Sequence, residues 1–122
     1  SGVLDLPAAH SRKALIERLG PYSENRERWE QNSALHLIEA SPDQAKKLPM
    51  LLTVGSSDHW AATNRQIHAR LTALGVEHDF DESEGGHDWK YWTEQLPRHV
   101  EWHAAKLHAA GGGECAAVTA RR

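Results

Sequence analysis

The feature that most narrows the fold is a strand–helix–strand pattern over residues 49–81. Pro49-Met50-Leu51-Leu52-Thr53-Val54 is a short apolar run ended by Gly55. Such a run suits a strand covered on both faces, as in a parallel sheet. In residues 61–74, Ile67, Leu71 and Leu74 are spaced for one helix face, and Gly75 stands where a C-terminal cap belongs. Val76-Glu77-His78-Asp79-Phe80-Asp81 then reads as a half-buried strand. A crossover of this kind is nearly always right-handed and joins parallel strands. The pattern therefore predicts an α/β fold.

The flanking segments read as helices. Ser11 to Leu19 forms a short helix ended by Gly20-Pro21. Residues 23–31 form a charged surface helix anchored by Trp29. Asn32-Ser33 caps a third helix through Ala40, with Ala34, Leu35, Leu37 and Ile38 facing inward and Ser41-Pro42 as its stop. A last helix runs from about Trp89 to Ala109, with Leu96, Val100 and Leu107 marking its buried side and Pro97 kinking or restarting it. Ser1-Gly2-Val3-Leu4-Asp5-Leu6 resembles the end of a strand entering a loop, so the chain is expected to begin in mid-fold. The domain reading is one α/β segment, 1–109, and a flexible tail, 110–122, which has little to bury.

Charge and cysteine content exclude several roles. With 14 basic and 17 acidic side chains, the net charge of −3 leaves no basic footprint for nucleic acid. No apolar run reaches the ~18 residues of a membrane span, and no polybasic amphipathic face suits an anionic membrane. No signal-peptide pattern is visible, and any such peptide would precede residue 1, so the compartment stays open. The single cysteine, Cys115, sits in the polar tail and has no internal partner for a disulfide.

In open α/β sheets ligands bind beyond the carboxyl ends of the strands. Two segments fall there: Gly55-Ser56-Ser57-Asp58-His59-Trp60 and Gly85-Gly86-His87-Asp88-Trp89. An acid after one strand and a histidine after the next is what a hydrolase triad needs. The carboxylate fixes the imidazole tautomer, and the imidazole moves the serine proton. Asp58 is equally suited to capping the helix that follows it, and a loop histidine is commonly a solvated turn residue. Asp88 is an alternative acid, but neighbouring side chains rarely face each other.

The joint pattern resembles a known family. Gly86-His87-Asp88-Trp89-Lys90-Tyr91-Trp92-Thr93-Glu94-Gln95-Leu96 is similar to the histidine segment of the putative-esterase family of α/β-hydrolases. That family includes S-formylglutathione hydrolase, tributyrin esterases, feruloyl-type esterases and mycolyltransferases of the antigen 85 type. Leu51-Leu52-Thr53-Val54-Gly55-Ser56-Ser57-Asp58 resembles its acid-bearing strand and loop, and Ser1-Gly2-Val3-Leu4-Asp5 the strand after its nucleophile helix. The resemblance spans about residues 1 to 108. It implies the C-terminal part of an α/β-hydrolase fold, with a few parallel strands flanked by helices and an incomplete sheet. It also implies Asp58 as triad acid and His87 as triad base.

The family's nucleophile lies on a Gly-x-Ser-x-Gly elbow, in chain order Ser, Asp, His. No such motif occurs here. The nearest run, Gly55-Ser56-Ser57-Asp58-His59, has histidine where the second glycine must be, so Ser57 is rejected as nucleophile. The expectation is a segment carrying the triad Asp and His of a serine carboxylic-ester hydrolase, inactive alone. Its partners would be a small-molecule ester and the missing N-terminal half, with self-association through an exposed sheet edge. The alternative is a small non-catalytic α/β binding module derived from an esterase.

Trp60, Trp89 and Trp92 cluster in sequence around the two loops. Trp60 and Trp89 are candidate substrate-binding residues, and Trp92 is assigned to packing. No cofactor or metal is expected. His99 and His103 are one helix turn apart, but the Glu between them is misplaced for a zinc-protease motif and no third ligand is evident.

Overall fold

In the computed structural model, which describes residues 2–111, Leu51–Gly55 (β1) and Asp79–Ser83 (β2) pair as parallel strands. The register runs from Leu51 opposite Asp79 to Gly55 opposite Ser83, so both strands end at the same edge. The element order is a 3-10 turn, Pro7–Ala9, then α1 (Lys13–Leu19), α2 (Arg26–Gln31), α3 (Ala34–Ala40), α4 (Pro42–Ala45), β1, α5 (Ala61–Ala73), β2 and α6 (Trp89–Gly111).

The apolar run dictates a strand buried on both faces. Leu52 packs in a core with Ala45, Ile67, Leu71 and Val76, so α5 covers that side. Thr53, pointing the other way, is hydrogen-bonded through its hydroxyl to His99 Nε2 of α6 at 3.0 Å. The result is a helix–sheet–helix sandwich around β1. Side-chain contacts also hold the helices to β2. Arg65 of α5 donates twice to the Glu82 carboxylate, at 2.7 and 2.5 Å. Arg98 and Trp102 of α6 donate to Asp81 and Asp79. The crossover helix closes with Gly75 N–H bonded to Thr72 and Val76 N–H to Leu71, both at 3.0 Å. This is the paired closure expected of a glycine C-cap.

Upstream, Trp29 of α2 is wholly buried and donates its indole N–H to Gly20 O at 2.9 Å. Its ring meets Tyr22 edge-on at 6.0 Å. One side chain thereby pins α2 to the end of α1. Truncating a buried Trp typically costs ~3–5 kcal/mol, so this anchor outweighs any of the exposed ion pairs around it.

Several sequence expectations need correction. Residues 2–5 form no strand. The Leu4 carbonyl instead accepts from Leu35 N at 2.9 Å and from the Ser33 hydroxyl at 3.1 Å. Ser33 is spent on that tie and on accepting from Leu6 N, so it does not cap α3 through its side chain. Leu37 is exposed because α3 presents only Leu35 and Ile38 to the core. β2 lies three residues later than the alternation suggested, with Val76 buried in the connection before it. Pro42 begins α4 as well as ending α3.

The largest correction concerns α6. The helix continues through Pro97 without a break. Leu96, Val100 and Leu107 are exposed, at 59, 59 and 73 %. Tyr91, Trp92, Gln95, His99 and Trp102 form the inward face instead. The polar members of that face each meet something on the sheet, which leaves the aliphatic stripe beside it uncovered. The helix reaches Gly111, past the expected start of the tail; the rest of that tail, with Cys115, lies outside the described residues. No helix among the described residues is long and apolar enough to cross a membrane.

Candidate functional site

The aligned strand ends force the two loops together. Ser56 N–H bonds Ser83 O at 2.8 Å, and Ser57 N–H bonds Gly85 O at 2.9 Å. A Cβ on Gly55 would stand 2.3 Å from the Gly85 carbonyl oxygen, so only glycine lets the loops approach this closely. Gly85 has φ +146°, and a Cβ there would strike the Tyr91 ring at 2.4 Å. These two glycines set the distance between the acid and the histidine.

Asp58 is buried, and its carboxylate is directed by the turn that follows β1. Oδ1 accepts from Trp60 N–H at 2.8 Å. Oδ2 lies 3.0 Å from His87 Nδ1. With an ionised carboxylate, which can only accept, this contact assigns the Nδ1–H tautomer to His87. The His87 ring is held from the side by Trp92, edge-on at 5.0 Å. The helix-capping alternative for Asp58 is therefore realised only as a local turn. Asp88 is the residue that caps a helix: its Oδ1 accepts from Tyr91 N at 2.9 Å and its carbonyl from Trp92 N at 3.1 Å. Asp88 is thus committed to α6 rather than to its neighbour.

The two tryptophans singled out from the sequence each stand one ring removed from His87. Trp89 is 77 % exposed and meets Trp92 edge-on at 5.2 Å. Trp60 is half-buried and packs against His59 at 5.1 Å, and His59 in turn lies 4.7 Å from the His87 ring. Trp92 packs, as assigned, but its packing partner is the site histidine.

Two further residues escaped the sequence reading. His59 Nδ1 lies 3.7 Å from Asp58 Oδ1, the carboxylate oxygen other than the one that meets His87. Arg12 Nη2 lies 3.2 Å from His59 Nε2, and its guanidinium stacks over Trp60 at 5.0 Å. Arginine can only donate, so His59 Nε2 must accept and Nδ1 carries the proton toward Asp58. His59 could have been found from its adjacency to Asp58. Arg12 is 47 residues away, and no local pattern announces it. Among the described residues, Asp58, His59 and His87 also form a group of three potential metal ligands, with donor atoms within 4.8 Å of one another. His99 and His103, with ring centroids 6.2 Å apart, have no third member among the described residues.

Comparisons with known proteins agree on one class. The family model described as Putative esterase matches residues 2–103. An acetyl esterase of Caldicellulosiruptor saccharolyticus is 31 % identical over 51 residues, 42 % of this chain and 19 % of that protein. A ferulic acid esterase of known structure superposes with a TM-score of 0.54 at 25 % identity, over 59 % of this chain and 28 % of its own. These alignments cover less than a third of the length of either relative. The two-stranded parallel sheet with its flanking helices is accordingly an incomplete α/β-hydrolase fold.

Proposed function

The chain belongs to the Putative esterase family, and on that footing we propose that it supplies the acid and the base of a serine carboxylic-ester hydrolase. The observation that carries this reading is the His87 Nδ1 to Asp58 Oδ2 contact of 3.0 Å, made between loops that leave adjacent parallel strands. In this reading a serine on an elbow outside residues 1–122 attacks the ester carbonyl. His87 Nε2 takes the hydroxyl proton as the bond from the serine Oγ to the acyl carbon forms. Asp58 stabilises the imidazolium without becoming protonated. The same proton then passes to the departing alcohol oxygen. Water, deprotonated by His87, releases the acid in the second half-reaction. Backbone amides contributed elsewhere hold the oxyanion. Trp60 and Trp89 flank the acyl or alcohol portion of the ester.

The chain by itself, with no Gly-x-Ser-x-Gly elbow in its sequence, does not turn over esters. The test is hydrolysis of a short-chain p-nitrophenyl ester by an intact enzyme containing this segment. His87→Ala should lower kcat by ~10³-fold or more, as loss of a triad member does elsewhere. Unchanged turnover in that variant would overturn the assignment.

A further inference from the structure

Asp58 is flanked by two imidazoles, although the proposed mechanism uses only one. We infer that Asp58, His59 and His87 form a binding site for a divalent transition-metal cation of the zinc class. Tetrahedral zinc with nitrogen and oxygen ligands at about 2.0–2.2 Å holds its donor atoms about 3.3–3.6 Å apart. Asp58 faces His87 with one oxygen, Oδ2 to Nδ1 at 3.0 Å, and His59 with the other, Oδ1 to Nδ1 at 3.7 Å, so a metal held by either oxygen needs a small shift of one ring to reach that spacing. All three donors already lie within 4.8 Å of one another.

The site is built asymmetrically. The Asp58 side chain is wholly buried and fixed by Trp60 N–H, and the His87 ring is braced by Trp92. The His59 side chain is 55 % exposed, so it can make the small closing movement. That exposure also places the fourth coordination position toward solvent, where water can fill it. Two imidazoles and one carboxylate favour zinc, copper or nickel over magnesium or calcium.

Coordination uses the Nδ1 lone pair of both rings. Each neutral ring therefore moves its proton from Nδ1 to Nε2, with no net proton released. For His59 this breaks the bond from Arg12, an exposed contact that can swing away. For His87 it leaves Nε2 protonated and unable to take a proton from a hydroxyl. A loaded site is therefore an inhibited esterase. That consequence rests on the proposed function; the binding itself does not.

The test titrates the 122-residue chain with Zn²⁺ against a chromophoric chelator, and with Co²⁺ read by visible absorption. His59→Ala, His59→Gln and Cys115→Ser are compared with the parent, each checked by circular dichroism. One equivalent of metal should bind, and Co²⁺ should show the intense bands of a four-coordinate site. Loss of outer partners alone weakens metal sites by about 10–100-fold, so both His59 variants should weaken binding at least tenfold. Cys115→Ser should bind as the parent does. Absence of one-to-one uptake, equal affinity in the folded His59 variants, or loss of binding in Cys115→Ser would each overturn the site. In the intact enzyme, Zn²⁺ should inhibit reversibly, and His59→Gln should relieve it. Uptake with no inhibition supports the site and overturns the catalytic role of His87 instead.

Discussion

His87 Nδ1 and Asp58 Oδ2 stand 3.0 Å apart although 29 residues separate them, because β1 and β2 end in register at Gly55 and Ser83. The pair is a product of strand alignment rather than of local sequence. Asp58→Asn keeps the shape but puts an amide where the acceptor was, which permits the wrong imidazole tautomer. In an intact enzyme containing the segment, kcat should fall by ~10⁴-fold with KM little changed, the size of effect seen when a triad Asp becomes Asn. Full activity in a correctly folded Asp58→Asn enzyme would show that Asp58 does not orient the base.

Gly55 controls that geometry from below. An added Cβ meets the Gly85 carbonyl oxygen and carbon at 2.3 and 2.6 Å, and backbone cannot rotate out of the way as a side chain can. Gly55→Ala should therefore destabilise the chain by ~1–3 kcal/mol, the range for overpacked interiors. In the intact enzyme it should lower kcat as well, by parting the loops that carry Asp58 and His87. Urea unfolding reads the first effect and steady-state kinetics the second. An unchanged urea midpoint would mean the loops have slack that the close contact does not suggest.

How much of this was legible beforehand follows from where the determining contacts lie. The run Leu51–Val54 and the Ile67–Leu71 spacing announce their own periodicity, and the strand–helix–strand unit, α5 and both site loops followed from it. Gly86-His87-Asp88-Trp89 and Gly55 to Asp58 carried the pair by resemblance to a family. Hydrophobic spacing alone points to the wrong inward face of α6. His99, Trp102 and Arg98 reach specific acceptors or hydroxyls on the sheet, and those contacts outcompeted Leu96 and Val100 for the inward positions. Arg12 was invisible for a related reason: a single exposed cation matters only once the chain has folded it over Trp60.

Trp89 offers a clean separation of stability from function. At 77 % exposure it contributes little to the core, so Trp89→Ala should leave the free energy of unfolding in urea within ~0.5 kcal/mol of the parent. In the intact enzyme the same change should raise KM for aromatic esters more than for acetate esters, with kcat largely kept. A stability loss without a KM effect would return Trp89 to a packing role.

His99 should make the docking of α6 sensitive to mild acid. Burial, then the nearby His103 and Arg98, holds its pKa below the ordinary 6.5. The unfolded chain therefore binds the proton first as pH falls. Stability from His99 is complete above about pH 6.5 and is lost progressively below it, down through the folded-state value. Glu82 and Glu30, held low by Arg65 and Arg26, act in the same direction but only below about pH 4.5. The urea midpoint should thus fall between pH 7 and pH 5.5, and His99→Gln, which can still bond the Thr53 hydroxyl, should flatten that step. A step of equal size in the variant would assign it to other histidines.

The exposed stripe on α6 makes the last prediction. Leu96 and Val100 are one helix turn apart, and Leu96 lines a groove with Leu4, Leu51, Leu52 and Trp92 beside β1. Within the described residues β1 pairs only with β2, so its other edge presents unpaired N–H and C=O groups next to that groove. An open strand edge and an apolar patch side by side favour association through the same face. Sedimentation of the isolated chain should show oligomers whose proportion rises with concentration. Leu96→Glu with Val100→Glu should return the chain to monomer, since the substituted positions are solvent-exposed within one chain. In the intact enzyme, where the remaining strands would cover this face, the same double substitution should instead be strongly destabilising. A wild-type chain that sediments as a compact monomer at all concentrations would show that the open edge is closed by some other means.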